Sequence, residues 1–79
     1  MGQKIRYETN HPETNEVVYV EKGGKVIPNW VTWIDYGKGF EHCGFSRAAD
    51  HAAAEKAARS TNPYGKRFAA TPIQSYRTA

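Results

Sequence analysis

The first half of the chain alternates apolar and polar residues with the two-residue period of a β-strand. Ile5 and Tyr7 each lie between charged residues and predict a half-buried strand over residues 3–9. The apolar run Val17–Val20 predicts a second strand over residues 16–22, and its unbroken apolar character indicates burial on both faces. A polar loop connects these two strands.

Glycines mark the turns that follow. The pair Gly23–Gly24 suits a tight hairpin and predicts a short antiparallel return over residues 25–27. Two longer apolar segments, residues 30–36 and 40–45, flank the tripeptide Gly37–Gly39, which fits a three-residue hairpin loop. The middle of the chain is therefore predicted to form further antiparallel strands.

The register of this second hairpin decides which of its side chains share a face. With Tyr36 opposite Phe40, Trp33 and Phe45 fall on the same face of the sheet, and we assign both to the core. Bulky apolar groups occur on both faces. At least one face must therefore be covered by another element.

An alanine-rich segment predicts a helix over residues 47–59. Ser46 is a suitable N-cap, because its hydroxyl can accept an amide proton of the first turn. Asn62 and Pro63 both end helical geometry. At 100° per residue, one ridge of small side chains is expected to face the sheet and join the core, with Ala54 and Ala58 beside it: Ala49, Ala53 and Ala57.

Two further extended segments, residues 66–70 and 73–77, follow the helix, and Pro72 places the last one at an edge or a bulge. The predicted fold class is α+β. We expect one antiparallel sheet of four to five strands with a single alanine-rich helix packed on one face. Residues 1–79 form a single domain, because a chain of 79 residues is too short for two.

The composition excludes several classes of protein. The chain has no Leu, which excludes a leucine-packed coiled coil or helical bundle, and its one Cys excludes an internal disulfide. No apolar run is long enough to cross a bilayer, and residues 1–8 lack the apolar segment of a secretory signal. We therefore expect a cytoplasmic protein with no membrane partner.

No residue pattern indicates catalysis, so the chain is not expected to be an enzyme. His42 and Cys43 are adjacent on a strand and should point to opposite faces of the sheet. Asp35 and Glu41 are expected to face each other, and we interpret them as solvated charges beside a turn. The His and Cys spacing fits no metal site, and Gly37–Gly39 lacks the pattern of a phosphate-binding loop. No cofactor is expected.

The distribution of charge is more informative. The net charge is +3, and the segment from Lys56 to the C-terminus contains five basic residues and no acid. Aromatic residues alternate with these cations, a composition that suits a protein-binding hot spot or a stacking surface for nucleic acid. The candidate contact residues are Lys56, Arg59, Lys66, Arg67, Arg77, Tyr36, Phe40, Tyr64 and Tyr76.

Three segments in chain order carry a resemblance: EVVYVEKGGKVIP, WVTWIDYGKGFEHCGF and SRAADHAAAEKAAR. This order of hairpins and helix resembles the small single-domain inhibitors encoded by phages and mobile elements, including anti-CRISPR proteins. The resemblance implies stoichiometric binding to a larger host protein or nucleoprotein complex in the host cytosol. Many such inhibitors are acidic mimics of DNA, and the basic C-terminal third departs from that pattern.

The alternative is a small nucleic-acid-binding module. In that case the same Lys and Arg side chains would follow the phosphate backbone of DNA or RNA. The sequence leaves the oligomeric state open.

Overall fold

The computed structural model describes residues 3–79, so Met1 and Gly2 lie outside the description. Within this range the chain forms six strands and one helix. In chain order these are β1 (Lys4–Asn10), β2 (Val17–Gly23), β3 (Trp30–Asp35), β4 (Phe40–Ser46), α1 (His51–Thr61), β5 (Arg67–Pro72) and β6 (Ser75–Thr78).

The strands form two antiparallel sheets of three strands each. The first sheet has the order β2-β1-β6 and the second has the order β4-β3-β5. The α+β class is confirmed, but the expected single sheet of four to five strands is wrong. The physical reason is the two-residue connection after Pro72, where the Gln74 amide donates to the Glu8 carbonyl at 2.8 Å. That bond directs the last strand onto β1 instead of the second sheet.

The second strand is an edge strand, which corrects two predictions. No strand forms over residues 25–27, so β2 pairs only with β1 within residues 3–79. Burial of β2 on both faces is also wrong, because Val17 is 54% exposed and Tyr19 is 58% exposed. Val17 and Tyr19 therefore remain exposed on the outer face of the first sheet, whereas Val18 and Val20 are half-buried on the other face.

The second hairpin contains a β-bulge that shifts its register. Near Trp30 the pairing follows the prediction, but beyond Thr32 the register shifts by one residue and Asp35 lies opposite Phe40. The loop consequently has four residues, Tyr36–Gly39, instead of three. The Asp35 carboxylate organises this loop by accepting from the Gly37 amide at 2.6 Å and the Gly39 amide at 3.2 Å. Both glycines have positive φ angles, 121° and 104°, which other residues rarely adopt.

The helix begins later than predicted. Asp50 is the N-cap: its backbone is extended and its Oδ1 accepts from the Ala53 amide at 2.9 Å. Ser46, the predicted cap, is instead the last residue of β4, and its carbonyl accepts from the Asn29 amide at 3.1 Å. The strand therefore holds Ser46 in the ladder, and the next good capping residue starts the helix.

The buried face of the helix is also displaced. Ala54 is fully buried and Ala58 is 6% exposed, and they face Ile34 and Phe68 of the second sheet. The predicted ridge is wrong: Ala53 and Ala57 are exposed on the helix, and Ala49, also exposed, precedes it. The buried residues Ala54 and Ala58 each follow a predicted one, Ala53 and Ala57, by one position. One residue corresponds to a rotation of 100° about the helix axis, so a different face meets the sheet.

The elements form three layers, with the second sheet between the first sheet and the helix. Five of the six residues of β3 are buried. One face of β3 packs on the helix, and on the other face the Trp33 ring lies 5.1 Å from that of His11, the residue after β1. We call the side chains between the two sheets the inter-sheet layer: Tyr7, Thr9, Val31, Trp33, Phe45 and Thr71. Trp33 is buried there as predicted, whereas Phe45 is half-buried.

The inter-sheet layer is held by polar bonds as well as by ring packing. The Thr9 hydroxyl donates to the Thr71 hydroxyl at 2.8 Å, and the Trp33 indole Nε1 also donates to that Thr71 oxygen at 2.8 Å. The Tyr7 and Phe45 rings lie 5.3 Å apart. Because every buried side-chain polar atom in residues 3–79 has a partner, these hydroxyls stabilise the layer without an unmet hydrogen bond.

Candidate functional site

Two loops meet at one end of the second sheet. The tip of the β3–β4 hairpin, Tyr36–Gly39, lies beside the segment that connects the helix to β5, and the Lys66 amide donates to the Asp35 carbonyl at 2.8 Å. Gly65 permits this approach, since a Cβ there would lie 2.6 Å from the Phe68 ring and 2.7 Å from Ile34. The two loops are thus fixed against the sheet.

These loops and the adjoining helix surface present a group of cations and tyrosines that we call the basic end: Tyr36, Lys38, Lys56, Arg59, Tyr64 and Lys66. Tyr64 is 88% exposed and Tyr36 is 49% exposed. None of the four cations forms a salt bridge with an acid in residues 3–79. The basic end therefore carries net positive charge that the fold does not neutralise.

Arg59 connects the helix to the rest of the basic end. Its guanidinium carbon lies 5.2 Å from the centre of the Phe68 ring, a cation–π distance. Phe68 in turn packs beneath the loop at Gly65. Lys56 lies three residues earlier on the helix, so it projects from the same side as Arg59.

Arg67, in contrast, makes internal contacts that stabilise the fold. Its Nε donates to the Asp35 carboxylate at 2.8 Å, its guanidinium lies 4.6 Å from the centre of the Phe40 ring, and Glu13 is 3.8 Å away. The loop amide of Gly37 and the Arg67 guanidinium lower the pKa of Asp35 below its ordinary value. The hydrogen bond to Asp35 likewise raises the pKa of Arg67. The side chain of Arg67 is therefore occupied by internal contacts.

Phe40 also takes part in internal contacts. Its amide donates to Glu13 Oε1 at 3.0 Å, and its carbonyl lies 3.1 Å from His11 Nε2. Its half-buried ring lies against the guanidinium of Arg67. The loop between β1 and β2 is thereby attached to the second hairpin, and we leave Phe40 and Arg67 out of the basic end.

Two other candidate residues lie on the first sheet. Arg77 is opposite Arg6 on β1, and Arg6 forms a 3.0 Å salt bridge with Glu21. The Tyr76 ring lies 5.9 Å from that of Tyr7. Five of the nine candidates therefore lie on the helix, the β3–β4 loop or the segment before β5, whereas Arg67, Phe40, Arg77 and Tyr76 lie on strands. Sequence reasoning missed Lys38, although its position at a hairpin tip beside Tyr36 was the available signal.

The residues considered for catalysis are far from a reactive arrangement. His42 and Cys43 point to opposite sides of the second sheet: the His42 ring lies 5.1 Å from that of Phe45, while Cys43 Sγ accepts from Asn62 Nδ2 at 3.3 Å. Partial burial lowers the pKa of His42. The expected pairing of Asp35 with Glu41 is wrong, because the bulge puts Glu41 opposite Ile34.

No three His, Cys, Asp or Glu side chains of residues 3–79 lie close enough together to hold a metal ion. In the same range no helix has the length and apolar character needed to cross a bilayer.

The comparisons with known proteins add no second line of argument at this site. No family model, no curated protein and no solved structure matches this chain.

Proposed function

We propose that this chain is a non-enzymatic binding protein whose basic end engages a larger host protein or nucleoprotein complex. The observation that carries the proposal is the basic end itself. Four cations that lack an acidic partner within residues 3–79 stand beside two exposed tyrosines on loops held against the sheet. Tyrosine and arginine supply much of the binding energy in protein interfaces.

The exposed charge predicts the chemistry of the partner. Like charges held close together repel one another, so a cluster of cations is most favourable when a surface of opposite sign covers it. The proposed partner surface is therefore rich in carboxylates or phosphates. Cations at the edge of such an interface mainly accelerate association, whereas Tyr64 and Tyr36 would bury ring surface on contact.

The proposed biological role is that of a phage-type inhibitor of the anti-CRISPR kind, acting in the host cytosol. It is supported by the order of hairpins and helix and by the small size of the chain. A protein with a basic end is poorly suited to mimic DNA. Inhibition by covering an acidic or nucleic-acid-bearing surface fits the charge better.

A nucleic-acid-binding module is the second candidate. One observation favours it: Tyr64, 88% exposed, lies two residues from Lys66, so a base could stack on the ring while a phosphate meets the ammonium group. In this candidate the affinity falls steeply as salt is added, because each neutralised phosphate releases counterions.

Affinity capture from a host extract, performed with and without nuclease, separates the two candidates. The inhibitor proposal expects a defined protein or nucleoprotein complex to be retained in stoichiometric amount after nuclease treatment. Capture that nuclease abolishes, together with salt-sensitive binding to short DNA or RNA, would favour the module instead. A Tyr64→Ala variant should weaken capture in either case, and a Tyr76→Ala variant, which alters a 55% exposed tyrosine outside the basic end, is the control.

A further inference from the structure

The outer edge of β2 is unusually open for a small protein. It is seven residues long, begins with the uncharged run Val17–Val20 and contains no proline. Edge strands of monomeric proteins are normally kept short or interrupted by charge, proline or a bulge, because an open edge pairs with other strands. Charge appears only at Glu21 and Lys22, near the end of β2.

The hydrogen bonds around β1 show which backbone groups of β2 are open. The Glu16 carbonyl accepts from the His11 amide at 2.9 Å, so Glu16 directs its backbone groups toward β1. On the other side of β1, the carbonyls of Lys4 and Glu8 accept from Ala79 and Gln74 of the β6 segment. Backbone direction alternates along antiparallel strands, so the even-numbered residues of β2 face β1.

The odd-numbered residues of β2, which are Val17, Tyr19 and Glu21, therefore direct their N–H and C=O groups away from β1. Within residues 3–79 no hydrogen bond reaches these groups. Val17 and Tyr19 also expose more than half of their surface. Backbone hydrogen-bonding capacity and apolar surface thus coincide along one edge.

We propose that β2 pairs with β2 of a second copy of this chain, forming an antiparallel dimer with Tyr19 on the two-fold axis. The two first sheets then join into one six-stranded sheet. In this register Tyr19 lies opposite Tyr19 of the second copy, Val18 lies opposite Val20, and Glu16 lies opposite Lys22. Residues of the last two pairs have no hydrogen bonds between them, a geometry that brings their side chains closest together.

Complementary charges near the two ends of β2 identify a second copy of this chain as the partner of its open edge. By symmetry the register makes two Glu16–Lys22 ion pairs, one at each end of the interface. Neither residue has a salt bridge within residues 3–79, and the Lys22 ammonium donates only to the carbonyl of Gly23 at 3.2 Å. A register centred on Val20 would instead place Val18 opposite Lys22 and lose both ion pairs. A chain this small also buries little hydrophobic core of its own, and small domains are commonly stabilised by forming oligomers.

Analytical ultracentrifugation over a wide range of protein concentration tests the proposal. The expected species is a reversible dimer of twice the 8.9 kDa chain mass. Glu16→Lys and Lys22→Glu each turn two attractive pairs into repulsive ones and should weaken dimerisation about tenfold. Mixing these two variants should restore the dimer as a heterodimer, because each introduced charge then meets its opposite.

A proline variant tests the backbone bonds. Tyr19→Pro removes an N–H that points away from β1, so this variant should remain folded and become monomeric. Val20→Pro is the matched control, because its N–H faces β1 and its loss should disrupt the first sheet. Wild-type protein that stays monomeric at every concentration overturns the proposal. So does a dimer that neither charge variant weakens and that mixing does not restore, a result that stands even if the proline variants unfold.

Discussion

Aromatic and polar side chains are packed inside the inter-sheet layer, whereas at the basic end the same kinds of side chain stand in solvent. Tyr7 is 1% exposed, and its burial raises the pKa of its hydroxyl. Tyr64 is 88% exposed and has no ring partner within residues 3–79. The side chains of the inter-sheet layer are thus tightly packed, whereas those of the basic end make few internal contacts.

Lys66 and Arg67 show the same contrast between neighbours in the chain. Arg67 begins β5 opposite Asp35, so its guanidinium is held by that carboxylate and by the Phe40 ring. Lys66 donates its backbone amide to the Asp35 carbonyl and its side chain lies beside Gly37, but its ammonium forms no salt bridge with residues 3–79. Replacing Arg67 should therefore disturb folding, whereas replacing Lys66 should not.

The largest expected loss of stability comes from the inter-sheet layer. Trp33→Ala removes a ring that is 4% exposed and leaves the Thr71 hydroxyl without its indole donor. The free energy of unfolding in urea should fall by about 3–5 kcal/mol. Trp33→Phe keeps most of the ring and should cost less. A loss below about 1 kcal/mol for Trp33→Ala would contradict the tight packing of Trp33 in the inter-sheet layer.

The helix face offers a paired test. Ala54→Leu inserts bulk at a fully buried position against the second sheet and should cost about 1–3 kcal/mol in the free energy of unfolding. Ala53→Leu, on the exposed side, should change it by less than about 0.5 kcal/mol. Thermal or urea unfolding of the two variants decides the orientation of the helix, and equal effects would mean that its buried face is assigned incorrectly.

The start of the helix should have a smaller effect. Asp50→Ala removes the side-chain acceptor of the Ala53 amide and should cost about 1 kcal/mol. Ser46→Ala removes a hydroxyl that caps nothing and should be close to neutral. Circular dichroism during urea unfolding measures both, and the reverse order of effects would return the cap to Ser46.

Because Asp35 is paired with Arg67, the free energy of unfolding should depend on pH in the acidic range. The folded pKa of Asp35 is lowered from its ordinary 3.8, so its contribution to stability is complete above that value and is lost as the pH falls through the folded pKa. Urea midpoints measured from about pH 5 downward should therefore decline in the wild type. They should decline less in Asp35→Asn, whose side chain does not ionise. Parallel declines in the two proteins would contradict this role for Asp35.

The smallest expected change in stability is at the basic end. A triple variant, Lys56→Glu with Arg59→Glu and Lys66→Glu, alters exposed side chains and should shift the free energy of unfolding by no more than about 0.5 kcal/mol per site. The loss of the Arg59 contact with Phe68 accounts for most of any shift. Unfolding as severe as that of Trp33→Ala would show that the basic end supports the fold.

Local sequence features predicted the elements but not their assembly. Alternation located the first strand, and apolar segments with glycine turns located the next three, although the strand predicted over residues 25–27 does not form. The alanine-rich segment located the helix to within four residues at its start. Pairing of β6 with β1 depends on contacts between distant residues, such as the bond from Gln74 to Glu8, which no local pattern encodes. The start of the helix was predicted too early, because Ser46 pairs with Trp30 as part of β4 and Asp50 caps the helix instead.

The sequence predicted that the candidate site would be basic, but not which Lys and Arg residues would belong to it. The sequence shows that the C-terminal third is basic, yet Arg67 and Lys66 look alike until β5 pairs with β3 and places Arg67 opposite Asp35. In the same way, only the placement of β6 on the first sheet separates Arg77 from the other cations. Which cations remain free is thus set by strand pairing.

Capture of the proposed host partner by two charge-reversal variants tests the central claim most directly. One is the triple variant of the basic end at Lys56, Arg59 and Lys66. The other makes the same change at exposed cations outside it, Lys4→Glu, Lys25→Glu and Arg47→Glu, with an equal change in net charge. We expect the first to lose capture and the second to keep it, at unchanged thermal midpoints. Full capture by the first variant, or equal loss by both, would contradict the assignment of binding to the basic end.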